Sequence, residues 1–572
     1  MTYIPKQNYI NFPATASSLI PTPSSGSNLF FSNDGRTIAR YADGTLRDLV
    51  ANQYLIDVGT NMWNSDSTRP SFSEQHFTVV APAGGLTMQL SVNIDPTFDP
   101  SNFWPNMHEV GVRIDGSSFS TYSINNTLGN STYEVVIPVG AHTVILRDGS
   151  KNYTSYGNIV KTISASAPLT PVSQTAPLRR LVILGDSIGT GFLCDHPTTD
   201  AWPLLIRDAG IWATTTHTGG GWALSQFASN PTQINSIIST LTPCFDGTQL
   251  NVLYIALGYN DAYGQLSSTA YGIYLSNLID AVHAALPNVV VILQSPITAN
   301  IETFGAVTLT QYRSAVHTIA SARYPWCLEI NGATDITAAL SLDGVHPTTV
   351  GNITYASSVV SKLPWDPMQE TGIAGFYGSS FGVAGSTDIY GLHNLTMDVN
   401  AALIANDSSY GNQPTLNMAG GAYGHTSAIV QSQPITRLII GQTDSSATAA
   451  FVDDTLIFNL VGAVSGGVGV YDGSGWAFYT PFTTSTKHCY IVNDNAASTV
   501  IYADTSAAPI VTGQNPGTDG LNGGILLGKR HDTSDKNNGK IAACIYFTGN
   551  ITQSKAAKIF QWSAFKFGAT WS

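Results

Sequence analysis

Residues 181–188 read Leu-Val-Ile-Leu-Gly-Asp-Ser-Ile. Four apolar residues in succession fit a strand of a parallel sheet, which is covered on both faces and therefore lacks polar alternation. The run stops at Gly185, and the following turn delivers Ser187 to the carboxyl end of the strand. Open α/β sheets place their ligand sites at that edge. A lone Gly-Asp-Ser is also an ordinary turn, so the reading of Ser187 depends on what stands downstream.

Similar apolar runs recur at Val252–Leu257 and Val289–Leu293. Between them a helix is predicted over Ser267–Leu286, with Tyr271, Leu275, Leu278, Val282 and Leu286 at the i, i+4, i+7, i+11 spacing of one packing face. Strands alternating with helices predict βαβ units and a mostly parallel sheet over residues 179–365.

Ester hydrolysis needs a hydroxyl nucleophile, a base beside it, a group orienting the base, and donors for the developing oxyanion. This region offers a candidate for each. In Leu342-Asp343-Gly344-Val345-His346-Pro347 a carboxylate precedes an imidazole by three residues. If the segment is a turn entering a helix, Asp343 can fix the tautomer while His346 takes the Ser187 proton. In Ala256-Leu257-Gly258-Tyr259-Asn260-Asp261, Asn260 follows an apolar strand and carries a donor amide. In Thr218-Gly219-Gly220-Gly221-Trp222 the missing side chains let a backbone N–H approach a substrate carbonyl. Asp195, His196 and His217 are nearby polar residues, expected at the surface or the substrate lip.

Together these four blocks, GDSI, GGG, GYND and DGVH in chain order, resemble the SGNH hydrolases, also called the GDSL esterase and lipase superfamily. The match spans 179–365 of 572 residues. The resemblance implies Ser187 as nucleophile, His346 as base and Asp343 as its partner, with Gly221 and Asn260 as oxyanion donors beside the Ser187 amide. Gly220 is the alternative to Gly221. Ile188 stands where the family usually has Leu.

The flanks read differently. Residues 1–50 form a Pro-, Ser-, Asn- and Gly-rich lead with a small hairpin near 36–48. Over 51–165, alternating pieces at His76–Val80, Leu86–Val92, Glu109–Ile114, Tyr133–Val139 and His142–Arg147 predict a β-sandwich. Residues 166–178 read as a linker. Over 370–572, strands are predicted at Thr436–Ile440, Ala449–Asn459, Cys489–Val492 and Ile541–Phe547, with a closing helix over Gln553–Phe565. This part resembles a concanavalin or laminin-G type jelly roll, a fold that binds glycans in some proteins and is purely structural in others. The expected fold class is therefore multidomain: a central α/β SGNH hydrolase with a flavodoxin-like parallel sheet, an N-terminal β-sandwich and a C-terminal concanavalin-like jelly roll.

Charged residues make up 11% of the chain, against roughly a quarter in typical soluble domains. A net charge of -13 leaves no basic surface for a nucleic acid. Five widely spaced cysteines, Cys194, Cys244, Cys327, Cys489 and Cys544, read as core residues. The first residues show no basic stretch leading into an apolar core, and no long apolar run occurs, so neither Sec export nor membrane insertion is expected.

A polar lead, a sandwich, a hydrolase and a lectin-like module in that order resemble phage tail spikes and tail fibres. The resemblance implies a serine esterase, a polysaccharide deacetylase, that removes O-acetyl or related acyl groups from a bacterial surface polysaccharide. It further implies a homotrimer in the virion tail, joined to other tail proteins through its N-terminus and acting outside the host cell. No cofactor or metal is required by this chemistry, and a structural Ca²⁺ in the jelly roll is left open. A non-virion bacterial carbohydrate or lipid esterase, and a glycan-binding adhesin with an inactive hydrolase domain, stand as alternatives.

Overall fold

The computed structural model describes residues 179–364 with brief interruptions at 210–211, 246 and 248–249. Elsewhere it describes mainly strands between 27 and 172, and strands with a closing helix between 373 and 567. The expected lead before Ser27 and residues 173–178 of the expected linker lie outside the described residues. The chain divides into two compact units, residues 1–362 and 363–572.

The first unit contains a five-stranded parallel sheet. Its strands are β1 (Arg179–Gly185), β2 (Ala213–Thr218), β3 (Leu250–Ala256), β4 (Val289–Gln294) and β5 (Cys327–Ile330). They lie in the order 2-1-3-4-5 with every neighbour parallel. The chain reverses its direction of travel across the sheet between β1 and β3, and such a switch point opens a crevice at the carboxyl edge. Register makes that edge even, because Gly185 pairs with both Thr218 and Ala256. The loops after β1, β2 and β3 therefore emerge side by side.

Both faces of the sheet are covered, which is why its central strands read as unbroken apolar runs. Val182, Leu184, Leu253, Ile255, Val291 and Leu293 share a core with three helices: α2 (Pro231–Leu241), α4 (Ser268–Ala285) and α5 (Leu309–Ser321). On the other face Trp202 stacks on Tyr355 at 4.7 Å and tilts against Tyr254 at 5.5 Å. Trp202 begins α1 (Trp202–Asp208), and Tyr355 lies on α6 (Thr349–Lys362). Truncating a buried ring such as Trp202 costs about 3–5 kcal/mol.

Helix ends follow from local chemistry. Ser267 caps α4 by accepting from the Ala270 N–H at 3.2 Å. Thr308 and Gln311 form a reciprocal capping box at the start of α5. The face predicted for α4 is the buried one at Tyr271, Leu275, Leu278 and Val282, joined by Ile279. Leu286 is instead the half-buried cap residue.

Ahead of the parallel sheet the first unit carries two antiparallel sheets of seven and five strands. Their facing side chains, among them Phe77, Val79, Val112, Val144, Leu86, Met88, Val135 and Ile137, form one core. The predicted strand pieces fall within these sheets, except that Pro138 and Val139 lie in the turn beyond the strand that ends at Ile137. Two details differ from the sequence reading. Thr37–Tyr41 and Leu46–Asp48 do pair as a hairpin, but the hairpin continues the seven-stranded sheet through Gln53–Asp57. Within the expected linker, Leu169–Pro171 pairs with Phe77–Val79, because buried Leu169 completes the core.

Arg147 fastens this front module to the first crossover of the parallel sheet. Its buried guanidinium donates to both carboxylate oxygens of Asp208, at 3.0 and 2.5 Å, and to the Thr198 carbonyl at 3.1 Å. The Phe119 ring lies 4.1 Å beneath it.

The second unit also holds two antiparallel sheets, of eight and seven strands. Ile439, Tyr490 and Val492 of one meet Phe451, Val461 and Val470 of the other in a single core. The outer face of the first, with Leu438, Ile491 and Ile545, is covered by the helix Gln553–Phe567 through Ile559, Phe560 and Trp562. The strand expected over Ala449–Asn459 is two: Ala449–Asp454 turns back to pair with Asn459–Val464. All five cysteines are free thiols, four of them buried. Among the described residues no helix is long and apolar enough to cross a membrane.

Candidate active site

Ser187 follows β1 in a tight turn held by its own backbone. Gly189 and Thr190 donate N–H groups to the Asp186 carbonyl, and Phe192 donates to the Ser187 carbonyl at 3.1 Å. The Asp186 side chain turns back to accept from the Ile188 N–H at 2.9 Å. The turn allows no side chain at Gly189, where a Cβ would lie 2.6 Å from the Thr218 methyl. Ser187 is consequently fixed and largely shielded, with 6% exposure.

His346 reaches it from far along the chain. Ser187 Oγ and His346 Nε2 are 2.7 Å apart. On the other side of the ring, Nδ1 lies 2.5 Å from Asp343 Oδ2. The carboxylate draws the ring proton to Nδ1, which leaves the Nε2 lone pair facing the serine hydroxyl. The Phe192 ring meets the imidazole edge-on at 4.5 Å.

The loop that carries both residues is closed like a clasp. Ser341 N–H donates to the His346 carbonyl at 2.7 Å, and Thr348 N–H to the Ala339 carbonyl at 2.9 Å. Asp343 Oδ1 accepts from the Ser341 hydroxyl at 2.5 Å and from the N–H groups of Val345 and His346 at 3.0 and 3.1 Å. Gly344 sits at φ +70°, and a Cβ there would lie 2.0 Å from the Asn300 amide. The segment is thus a turn entering α6, the condition on which the sequence reading paired Asp343 with His346.

These contacts set the charges. Burial pushes the Asp343 carboxyl up, but the bonds from Ser341, His346 and two main-chain N–H groups outweigh it and hold the acid well below the usual carboxylate range. Burial lowers His346, and the Asp343 contact only partly offsets it. At neutral pH the pair is therefore a carboxylate and a neutral imidazole. Burial, against the Ile188 N–H bond and reinforced by Asp261, pushes Asp186 up to about 7.

Asn260 begins at the even edge after β3, on the short helix α3 (Tyr259–Tyr263). Its Nδ2 donates to the Trp222 carbonyl at 2.9 Å, which brings the third block against the glycine block. Gly219 N–H donates to the Gly185 carbonyl, Gly221 adopts φ +71°, and the Trp222 ring occupies the space a Gly219 side chain would fill. Asp261, absent from the expected site, anchors the same turn by accepting from the N–H groups of Leu224 and Ser225 at 2.7 and 3.0 Å. Among the described residues, the main-chain N–H groups of Ser187, Gly220 and Gly221 meet no protein acceptor. The turns that carry Asn260, Gly220 and Gly221 leave the sheet at the same edge as the Ser187 turn, by the strand register.

The other polar candidates lie elsewhere. His217, expected at the surface or the substrate lip, is buried on β2 with Nε2 at 3.4 Å from Cys244 Sγ. His196 Nδ1 approaches the Thr121 hydroxyl at 3.5 Å, and Asp195 accepts from the Thr349 hydroxyl at 2.9 Å. Ser341 and Phe192 touch the triad without having been picked out in the sequence. Only their position in the Asp343 and Ser187 turns could have signalled them. No three His, Cys, Asp or Glu side chains among the described residues gather as a metal site. A neutral imidazole bonded to a serine, backed by a carboxylate and beside unpaired N–H donors, can perform acyl transfer.

No protein-family model and no curated protein matches this chain. Solved structures similar to it include the salicylyl-acyltransferase SsfX3 from a tetracycline biosynthetic pathway, at 15% identity over 50% of this chain and 80% of that one, with a TM-score of 0.38. Another is a carbohydrate esterase family 2 enzyme with a carbohydrate-binding domain from Corynascus thermopiles (Myceliophthora fergusii), at 17% identity over 51% and 91%, TM-score 0.38. A third is a family 2 carbohydrate esterase from Clostridium thermocellum in complex with cellohexaose, at 15% identity over 54% and 97%, TM-score 0.37.

Proposed function

We propose that the protein is a serine esterase that removes O-acetyl or related acyl groups from a bacterial surface polysaccharide, as part of a homotrimeric phage tail receptor-binding protein. The observation that carries the esterase reading is the pair of hydrogen bonds from Ser187 through His346 to Asp343.

In this reading Ser187 Oγ attacks the ester carbonyl carbon as its proton passes to His346 Nε2. Negative charge gathers on the carbonyl oxygen, which accepts from the Ser187 N–H, the Gly221 N–H and the Asn260 amide. The intermediate collapses, the C–O bond to the sugar breaks, and His346 returns the proton to the leaving hydroxyl. Water, deprotonated by His346, then attacks the acyl-serine and releases the carboxylic acid and free Ser187. Asp343 stabilises the imidazolium at both stages without taking the proton.

The glycan and the virion enter from the order of parts in the sequence: a polar lead, β-rich modules on either side of the hydrolase region, and few charges for steering an ionic ligand. Polysaccharides from candidate host bacteria, incubated with the protein, are expected to release acetate. The Ser187→Ala variant should release none. A wild-type protein that liberates acetate from no acylated glycan and nitrophenol from no p-nitrophenyl acetate would sink the proposal.

A further inference from the structure

Three aromatic rings gather at the carboxyl edge of the sheet, outside the Ser187–His346–Asp343 contacts. Tyr259 and Tyr263 are four residues apart on α3 and share one side of it. Phe304, from the small hairpin of Thr303–Phe304 with Val307–Thr308, meets both edge-on, at 5.6 Å and 87° for Tyr259 and 5.7 Å and 74° for Tyr263. Edge-to-face packing at these distances is a favourable, restraining contact.

The cluster stands beside the candidate triad. Tyr259 is half-buried and lines a cavity together with Asp186 and Ile188, the neighbours of Ser187. Burial, then the charge of Asp343, pushes its phenol up. The supporting loop is pinned from below. Arg313 donates to the Pro296 and Ile297 carbonyls, each at 2.8 Å, and to both carboxylate oxygens of Glu302 at 2.7 and 3.0 Å. Asn300 N–H donates at 2.8 Å to the carbonyl of Gly344, inside the Asp343–His346 loop. Phe304 and the triad loop thus belong to one frame.

Tyr263 is the outermost member, at 67% exposure, although a neighbouring ring holds it in place. A large side chain that is braced yet exposed, at the rim of an aromatic cluster whose inner member Tyr259 lines a cavity with the neighbours of Ser187, is suited to contact a ligand. We propose that Tyr263, braced by Phe304, is a stacking subsite for the pyranose ring that bears the acyl group. A pyranose presents a flat C–H face that loses contact with water against an aromatic ring while its hydroxyls stay wet at the rim. This subsite rests on the esterase reading above.

The probes are glucose pentaacetate, p-nitrophenyl acetate and p-nitrophenyl octanoate. Tyr263→Ala should raise KM for glucose pentaacetate and lower the ratio of its kcat/KM to that for p-nitrophenyl acetate about ten-fold, the size of one ring contact. Tyr263→Phe should restore the ratio, because the stack needs the ring and not the hydroxyl. An unchanged ratio in Tyr263→Ala overturns the subsite, as does a loss confined to the octanoate, which would assign the patch to acyl chains. If wild type turns over none of the three esters, the esterase reading itself has failed, and that result is distinct from a failure of the subsite.

Discussion

Asn260 Nδ2 and the Trp222 carbonyl lie 2.9 Å apart, and this bond makes one assembly of the turns that follow β2 and β3. The asparagine uses one amide hydrogen to hold the glycine turn, and in the proposed mechanism the other is the oxyanion donor. Replacing it with alanine removes a donor and loosens its neighbour. Asn260→Ala should lower kcat on p-nitrophenyl acetate by about 10²–10³. Steady-state kinetics check this, and a kcat within a few-fold of wild type would take Asn260 out of the chemistry.

Asp343→Asn keeps the shape of the loop but can turn the His346 ring to the tautomer with its proton on Nε2, facing Ser187. The expected loss in kcat is about 10⁴, as in other serine–histidine–aspartate sites. KM should change little, because Asp343 bonds to the imidazole and its own loop. A loss carried mainly by KM would argue against this role.

The acid limb of the rate follows His346. Only the neutral imidazole accepts the Ser187 proton, and burial lowers this group from its ordinary value of 6.5. Because the charged form is the disfavoured one, activity should persist to more acid pH than an unperturbed histidine allows. The lower inflection of kcat/KM against pH is expected below 6.5. An inflection at or above it would contradict the burial argument.

Gly344→Ala tests the clasp. Positive φ is strained for alanine, and the added carbon would meet the Asn300 side chain, so the turn must shift. A misplacement of about 1 Å at His346 costs on the order of 10²-fold in rate. The expected result is that loss with only a small drop in the urea midpoint, since the strain is local to a surface turn. Global unfolding would show instead that the turn holds the fold together.

How far the sequence alone carries can be judged from the sheet. β1, β3 and β4 occupy its interior, so both their faces are covered and their apolar runs are readable without a partner. β2 and β5 are the two edges. Ala213–Thr218, Ala-Thr-Thr-Thr-His-Thr, carries threonines whose branched side chains suit the pleat but register as polar. Cys327–Ile330 has only four residues, too few for a periodicity. Both escaped the sequence reading for that reason.

The site divides similarly. Ser187, Asn260, Asp343 and His346 each sit in a short block of distinctive composition. The residues that fix their geometry are less conspicuous, even Asp261, which stands inside the GYND block without a role assigned from sequence. Phe192, Asp261 and Ser341 work through contacts across the crevice or around a turn, which single positions in a chain do not announce. Nor does any apolar pattern mark Tyr263 as exposed, since its helix face is decided by where Phe304 lands.

Arg147 and Asp208 bear on how such a protein can be built by exchange of parts. The guanidinium belongs to the front module and the carboxylate to the first crossover after Ser187, and the arginine is fully buried where they meet. A recombination that gave residues 179–362 a different front module would leave one ion of the pair without its counterpart. The ion left behind is the partly exposed Asp208, whereas an arginine buried like Arg147 in a front module joined to a hydrolase without that aspartate would meet the larger penalty of an unmatched buried charge. Exchange of the front module is therefore expected to succeed only where the arginine and the aspartate travel together.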